Sequence, residues 1–186
     1  MKYKIINEKE YKTTQWSGGK TSEIYIYPEN SVYSERNFGF RISTALIENE
    51  KSEFTHLEGI KRSLMVLEKP IVIINDGKKI NLDIFKEYRF SGSDNIISLG
   101  KTRDFNAMTK EGFTGEIVYL EVEENEISII NKKSSWIFIY IFKGSAEING
   151  LKINEKDTFV LWENDGRIKI QGIKRSDIIC TFIDIK

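Results

Sequence analysis

The chain has 186 residues, with 28 lysines and arginines against 28 aspartates and glutamates, so its formal charge is zero. A phosphate-backbone surface wants a basic surplus, which excludes nucleic acid as a main partner. One histidine, His56, and one cysteine, Cys180, leave neither a histidine-rich metal centre nor an intrachain disulfide, and a reducing cytoplasmic setting is expected.

In chain order, the N-terminal "MKYKIINEKEYK" lacks the apolar centre of a signal peptide. Alternating, strand-like runs then follow: "EIYIY" at 23–27, "FGFRISTA" at 38–45, "IVIIND" at 71–76, "EIVYLEVEE" at 116–124, "SWIFIYIF" at 135–142 and "CTFIDI" at 180–185. Isoleucine is abundant, alanine scarce, and no long segment keeps a helical period. Asn75-Asp76-Gly77, Asn149-Gly150 and Asn164-Asp165-Gly166 punctuate the runs as turns. No apolar run reaches the roughly 18–20 residues of a membrane span. The pattern predicts an all-β sandwich or barrel. Residues 73–90 and 146–163 share a strand–turn–strand pattern, which is either the trace of a duplication or the likeness of any two hairpins.

Chemistry-bearing residues gather in the first half. Gly18-Gly19 in "QWSGGKTSEI" precede a strand rather than a helix, which argues for a tight turn over a phosphate loop. Thr21 and Glu23, Arg41 and Ser43, and Asp104 and Asn106 are each two apart, so each pair shares a strand face. These faces are either solvated, as on most antiparallel sheets, or converge on one polar pocket. Cys180 reads as a buried thiol, His56 as a surface residue, Trp136 and Trp162 as core, and Trp16 as the tryptophan placed to touch a ligand.

"QWSGGKTSEI", "FRISTALI", "SEFTHLEGIKR" and "DFNAMT" resemble, in order and spacing, motifs of the HutD/Ves family of bicupins. The resemblance starts near Tyr11, is densest up to Thr109, and reaches the C-terminus. It implies two fused cupin-like barrels of the double-stranded β-helix type, residues 1–115 and 116–186. It also implies a pocket of Trp16, Gly18, Gly19, Thr21, Glu23, Arg41, Ser43, Arg62, Asp104 and Asn106, with Phe54, Gly59, Phe105 and Met108 matching as well. The glycine loop is shorter than in many relatives, and Leu57-Glu58-Gly59 stands where Phe-Pro-Gly is usual. Cupin enzymes hold a metal through histidines and a glutamate, but the matching segments offer only Glu68, so no metal and no cofactor is expected.

The expected function is metal-free binding of a small carboxylate, gripped by Arg41 and Arg62, in a regulatory role linked to histidine utilisation. Enzyme activity is not assigned. The alternatives are a metal-independent isomerase or hydrolase with Glu23 or Asp104 as general base, and an interaction module with solvated polar faces. A homodimer is left open.

Overall fold

The structure is a computed structural model that describes residues 2–186. The strands are β1 (Lys2–Ile6), β2 (Lys12–Trp16), β3 (Gly19–Tyr27), β4 (Phe40–Ile47), β5 (Lys51–Glu53), β6 (Lys61–Val66), β7 (Ile71–Asn75), β8 (Lys78–Leu82), β9 (Glu87–Ser91), β10 (Ile96–Leu99) and β11 (Thr102–Thr109). They continue with β12 (Phe113–Val122), β13 (Ile127–Asn131), β14 (Trp136–Ile148), β15 (Leu151–Asn154), β16 (Thr158–Trp162) and β17 (Arg167–Ile185). Two short 3-10 turns, Glu8–Glu10 and Tyr33–Glu35, are the remaining regular elements. Among the described residues no helix is long and apolar enough to cross a membrane. The chain is all-β, as the alternation predicts.

Two compact units divide the chain. The first, Tyr11–Gly115, holds a six-stranded sheet ordered β2-β3-β4-β11-β6-β9 and a four-stranded sheet ordered β5-β10-β7-β8. The second, residues 2–10 and 116–186, holds one sheet ordered β1-β16-β14-β17-β12, with β13 beside β17 and β15 beside β14. The division therefore corrects the expected one at its start. Residues 2–10 belong with the C-terminal unit because β1 pairs along its whole length with β16, Lys2 opposite Trp162 and Ile6 opposite Thr158.

The two units repeat one pairing plan. In the first, β6 pairs with β9 and β11, and β7 with β8 and β10. In the second, the front of β14 takes the place of β6, pairing with β16 and the back of β17. The rear of β14 takes the place of β7, pairing with β15 and the front of β17. Likewise β13 lies on β17 as β5 lies on β10, and β12 lies on β17 as β4 lies on β11. What differs is the break in the long strands. Pro70, which cannot donate to a ladder, separates β6 from β7. The counterparts in β14 and β17 run on through a bulge between Ile141 and Ala146, where Gly144 sits at φ 85° against the backbone of Arg175.

The interiors differ as well. In the second unit Ile137, Ile139 and Ile141 of β14 meet Ile178, Cys180 and Phe182 of β17, with Phe159 and Leu161 of β16. Phe138, Tyr140 and Phe142 on the other face of β14 are also buried, which is why this strand reads as a continuous apolar run. Burial pushes the Cys180 thiol up to about 12, so it behaves as an apolar filler. Trp136 and Trp162, expected in the core, are opposed across β14 and β16 and only half-buried. In the first unit Leu64, Val66, Ile71, Ile73, Leu82, Phe90 and Ile96 form one apolar cluster and Ile26, Phe38, Leu57, Ile60 and Met108 another, and buried polar side chains occupy further interior positions. Ile139→Ala should therefore lower stability by about 2–5 kcal/mol in a denaturant titration, because its cavity has no mobile neighbour to fill it.

Candidate functional site

Strand parity and register build the site. The interior face of β4 carries Arg41, Ser43 and Ala45, and these lie opposite Met108, Asn106 and Asp104 of β11. Met108 in turn lies opposite Arg62 of β6, and Asn106 opposite Leu64. From the other side, Glu23 of β3 opposes Ser43, and Thr21 opposes Ala45. A register shift between Glu23 and Tyr25 ends this polar face, so that the next inward residue is the core residue Ile26. The three pairs of the sequence thus converge with Arg62 on one interior, and the solvated-face reading is set aside. Together with Thr14, Trp16, Ser17, Tyr33, Ile47, Glu53, Phe54 and Thr55, Thr21 and the residues of β4, β6 and β11 line a cavity of about 240 Å³.

The two arginines are held differently. Arg41 donates from Nε to Glu23 Oε2 at 2.6 Å, and its guanidinium lies 4.2 Å over the Tyr33 ring. This is a closed, largely buried ion pair, with side-chain exposures of 6% and 13%. Arg62 has no carboxylate within ion-pair distance among the described residues. Its guanidinium lies 4.9 Å from the Phe54 ring centre and 5.0 Å from that of Phe90. It makes only two long hydrogen bonds, from Nη1 to the Thr55 carbonyl at 3.5 Å and from Nη2 to Asn106 Oδ1 at 3.4 Å. Its Nε is buried without a partner. Burial pulls Arg62 down to about 10, so it stays charged at neutral pH.

Asn106 joins this cation to an acid. Its Nδ2 donates to Asp104 Oδ1 at 2.5 Å while its Oδ1 accepts from Arg62. Asp104 is 3% exposed, and burial pushes its carboxyl up to about 7 against the pull of Arg62. A site with one uncommitted cation, one near-neutral acid and several hydroxyls can hold an anion and exchange a proton with it.

Three of the expected contacts, Gly18, Gly19 and Glu23, are not among the residues that line this cavity. A Cβ on Gly18 would lie 2.0 Å from the Trp16 ring, and one on Gly19, whose φ is 149°, would lie 1.9 Å from the Leu46 carbonyl oxygen. Their glycine character serves the close approach of Trp16 and β4, and the stretch is a packed hairpin turn. Glu23 instead holds Arg41 from behind. Trp16, Thr21, Arg41, Ser43, Arg62, Asp104 and Asn106 are brought together as expected. Parity could have added Thr14 and Ala45, which lie in phase with Trp16 and Ser43; Tyr33, on a 3-10 turn, carries no periodic signal.

The model of the HutD family matches residues 8–180. The chain belongs to the HutD family. Its structure is similar to that of a conserved protein of unknown function from Pseudomonas aeruginosa, with a TM-score of 0.84 and 18% identity over 99% of this chain and 100% of that one. It is also similar to HutD from Pseudomonas fluorescens, with a TM-score of 0.80 and 20% identity over the whole of both chains. The bacterial pirin YhhW of Escherichia coli, in complex with nickel(II), has a TM-score of 0.74 and 13% identity over 97% of this chain and 98% of that one. These likenesses make the fold cupin-like. A search among curated proteins found no match. Among the described residues of this HutD-family chain, no three of His, Cys, Asp and Glu come together as a metal centre would need.

Two stability predictions follow from the buried charges. Glu23→Gln leaves Arg41 without its counter-charge and should cost on the order of 3–5 kcal/mol in a denaturant titration. Asp104 behaves in the opposite sense. Its folded carboxyl titrates at about 7 and the free group at 3.8, so between those values the folded chain keeps a proton that the unfolded chain releases. Stability should therefore fall as pH rises from about 4 to 7 and level off above. In Asp104→Asn this slope should be absent from melting curves taken across that range.

Proposed function

We propose that this HutD-family protein binds a small carboxylate, without a metal, in the cavity of its first unit, and that it does so in the cytoplasm in a regulatory role linked to histidine utilisation. The observation that carries the reading is Arg62: a buried, charged guanidinium packed against the adjoining rings of Phe54 and Phe90, with weak hydrogen bonds and no carboxylate of its own. A cation so placed is costly unless an anion completes it. A ligand carboxylate supplies that charge through charge-assisted hydrogen bonds, which guanidinium makes in a paired geometry. Arg41, neutralised by Glu23, adds N–H groups and a rigid wall rather than net charge. Ser43, Thr21 and Asn106 complete the polar lining. At about 240 Å³, roughly eight water volumes, the cavity suits a metabolite rather than a larger ligand.

A second reading has one observation in its favour. Asp104 titrates near 7 inside the same cavity, the range that suits a general base. Glu23 fits that role less well, since its carboxylate is engaged by Arg41 outside the cavity lining. Incubation of the protein with the acid it binds, followed by mass spectrometry, separates the two readings: an unchanged acid supports the binder, and a converted one supports the enzyme.

The binding test is calorimetric. Arg62→Met keeps an unbranched side chain against the two rings and removes the charge. It should weaken binding of a small carboxylate by roughly 30-fold or more. Chelator treatment of the wild type should leave the affinity unchanged. Wild-type affinity retained in Arg62→Met would overturn the reading.

A further inference from the structure

We infer that the site takes up a proton together with its ligand, and that Asp104 is the residue that holds it, sharing that proton with the carboxylate bound at Arg62. The inference rests on the binding reading above and specifies the form in which the acid is held.

Asp104 lies on β11 between Ala45 of β4 and Val66 of β6, neither of which offers a charge. The charged groups that face it are few. Arg41 on β4 is neutralised by Glu23 of β3 at 2.6 Å. Arg62 on β6 is kept at one remove by the intervening Asn106. Arg103, beside it on β11, is engaged by Glu68 at 3.2 Å. Glu53 at the rim is paired with Lys51 at 3.7 Å, and the Tyr33 ring lies under the Arg41 guanidinium. Asp104 therefore has hydrogen bonds from the Asn106 amide and the Ala45 backbone but no cation within ion-pair distance, at a position only 3% exposed.

Now a carboxylate enters and meets Arg62. One cation then faces two carboxylates in a low-dielectric interior. Two such groups at close range do not both remain ionised; they retain one proton between them, and the pair titrates as a unit. The Asn106 amide is set for this arrangement. Its N–H occupies only Asp104 Oδ1, and its carbonyl on Arg62 keeps the cation oriented beside the acid. The balance is simple: a carboxylate anion and one proton from solvent enter, no covalent bond of the ligand changes, and both leave on release. Burial raises Asp104 to about 7, so at that pH the group is half-protonated before the ligand arrives. Above that range, the proton must be drawn from solvent on binding.

The experiment uses the full-length chain with propionate and succinate as probes. Each is titrated calorimetrically at pH 6, 7 and 8.5, and at pH 8.5 in two buffers of different ionisation enthalpy, which counts protons without any variant. The expected result is close to one proton taken up per ligand at pH 8.5, almost none at pH 6, and affinity falling about tenfold per pH unit above 7. Asp104→Asn, which keeps a donor of the same shape, should bind at pH 8.5 more tightly than the wild type and with no proton uptake. Binding of the wild type with no proton uptake and no pH dependence overturns the inference and leaves the binding reading standing. Affinity that rises with pH also overturns it, since Asp104 would then act as an ionised acceptor. If neither probe binds at any pH, the binding reading fails, and this inference with it.

Discussion

A guanidinium buried against two adjoining phenylalanine rings, with no carboxylate to meet it, is the constraint on which the first unit turns. Arg62 cannot be neutralised by losing its proton, since even after burial it titrates near 10. It is held in place by the two ring faces and by an amide and a carbonyl at hydrogen-bond limits. Ring quadrupoles attract the cation but return less than a carboxylate would. The free protein thus carries an unsatisfied charge, and the fold must supply stability elsewhere to tolerate it. The tightly closed pair of Arg41 and Glu23 beside it shows what a satisfied arginine looks like in the same sheet.

The second unit shows what that interior costs by contrast. It repeats the pairing plan of the first, yet its core positions are apolar, chiefly isoleucine, phenylalanine and leucine. Its sheet runs through long continuous strands, whereas the first unit interrupts the equivalent course between β6 and β7 and between β10 and β11. A repeated plan supports descent from a duplicated half. On that view one copy kept its interior packed to native density, and the other exchanged packing for a polar cavity. Division of labour then has an energetic basis, since burial of apolar area in one unit offsets the polar interior in its neighbour in sequence.

Much of this was legible in the residues, for reasons that can be named. The strands that carry the site alternate cleanly, so parity placed Thr21, Arg41, Ser43, Asp104 and Asn106 on common faces, and the register then carried those faces to one interior. The all-β class followed from the same alternation. Long-range pairing was not legible: Lys2–Ile6 reads as a loose terminus until its partner β16, more than 150 positions away, is known. Nor does a sequence separate the uses of a glycine. Gly18 and Gly19 have the look of a ligand-approach turn, but the close approach is made by Trp16 and Leu46. The surroundings of Arg62 were hidden for a related reason, since Phe54 precedes β6 in a loop and Phe90 follows it on β9. Only the fold sets them side by side against the guanidinium.

Asn106 is the residue through which these features become one device. An amide that accepts from a cation and donates to an acid can satisfy both without neutralising either, which neither a second carboxylate nor a second arginine could do. A carboxylate at that position would close an ion pair with Arg62 and leave no charge for a ligand. A longer cation there would do the same for Asp104. The neutral spacer keeps the two charges out of direct contact, so that on the proposed reading a ligand, rather than the protein, completes the pair. The same spacing keeps Asp104 out of ion-pair distance of Arg62, whose pull on the carboxyl is outweighed by burial, whereas Glu23 closes directly on Arg41. The difference between the two acids is one intervening amide.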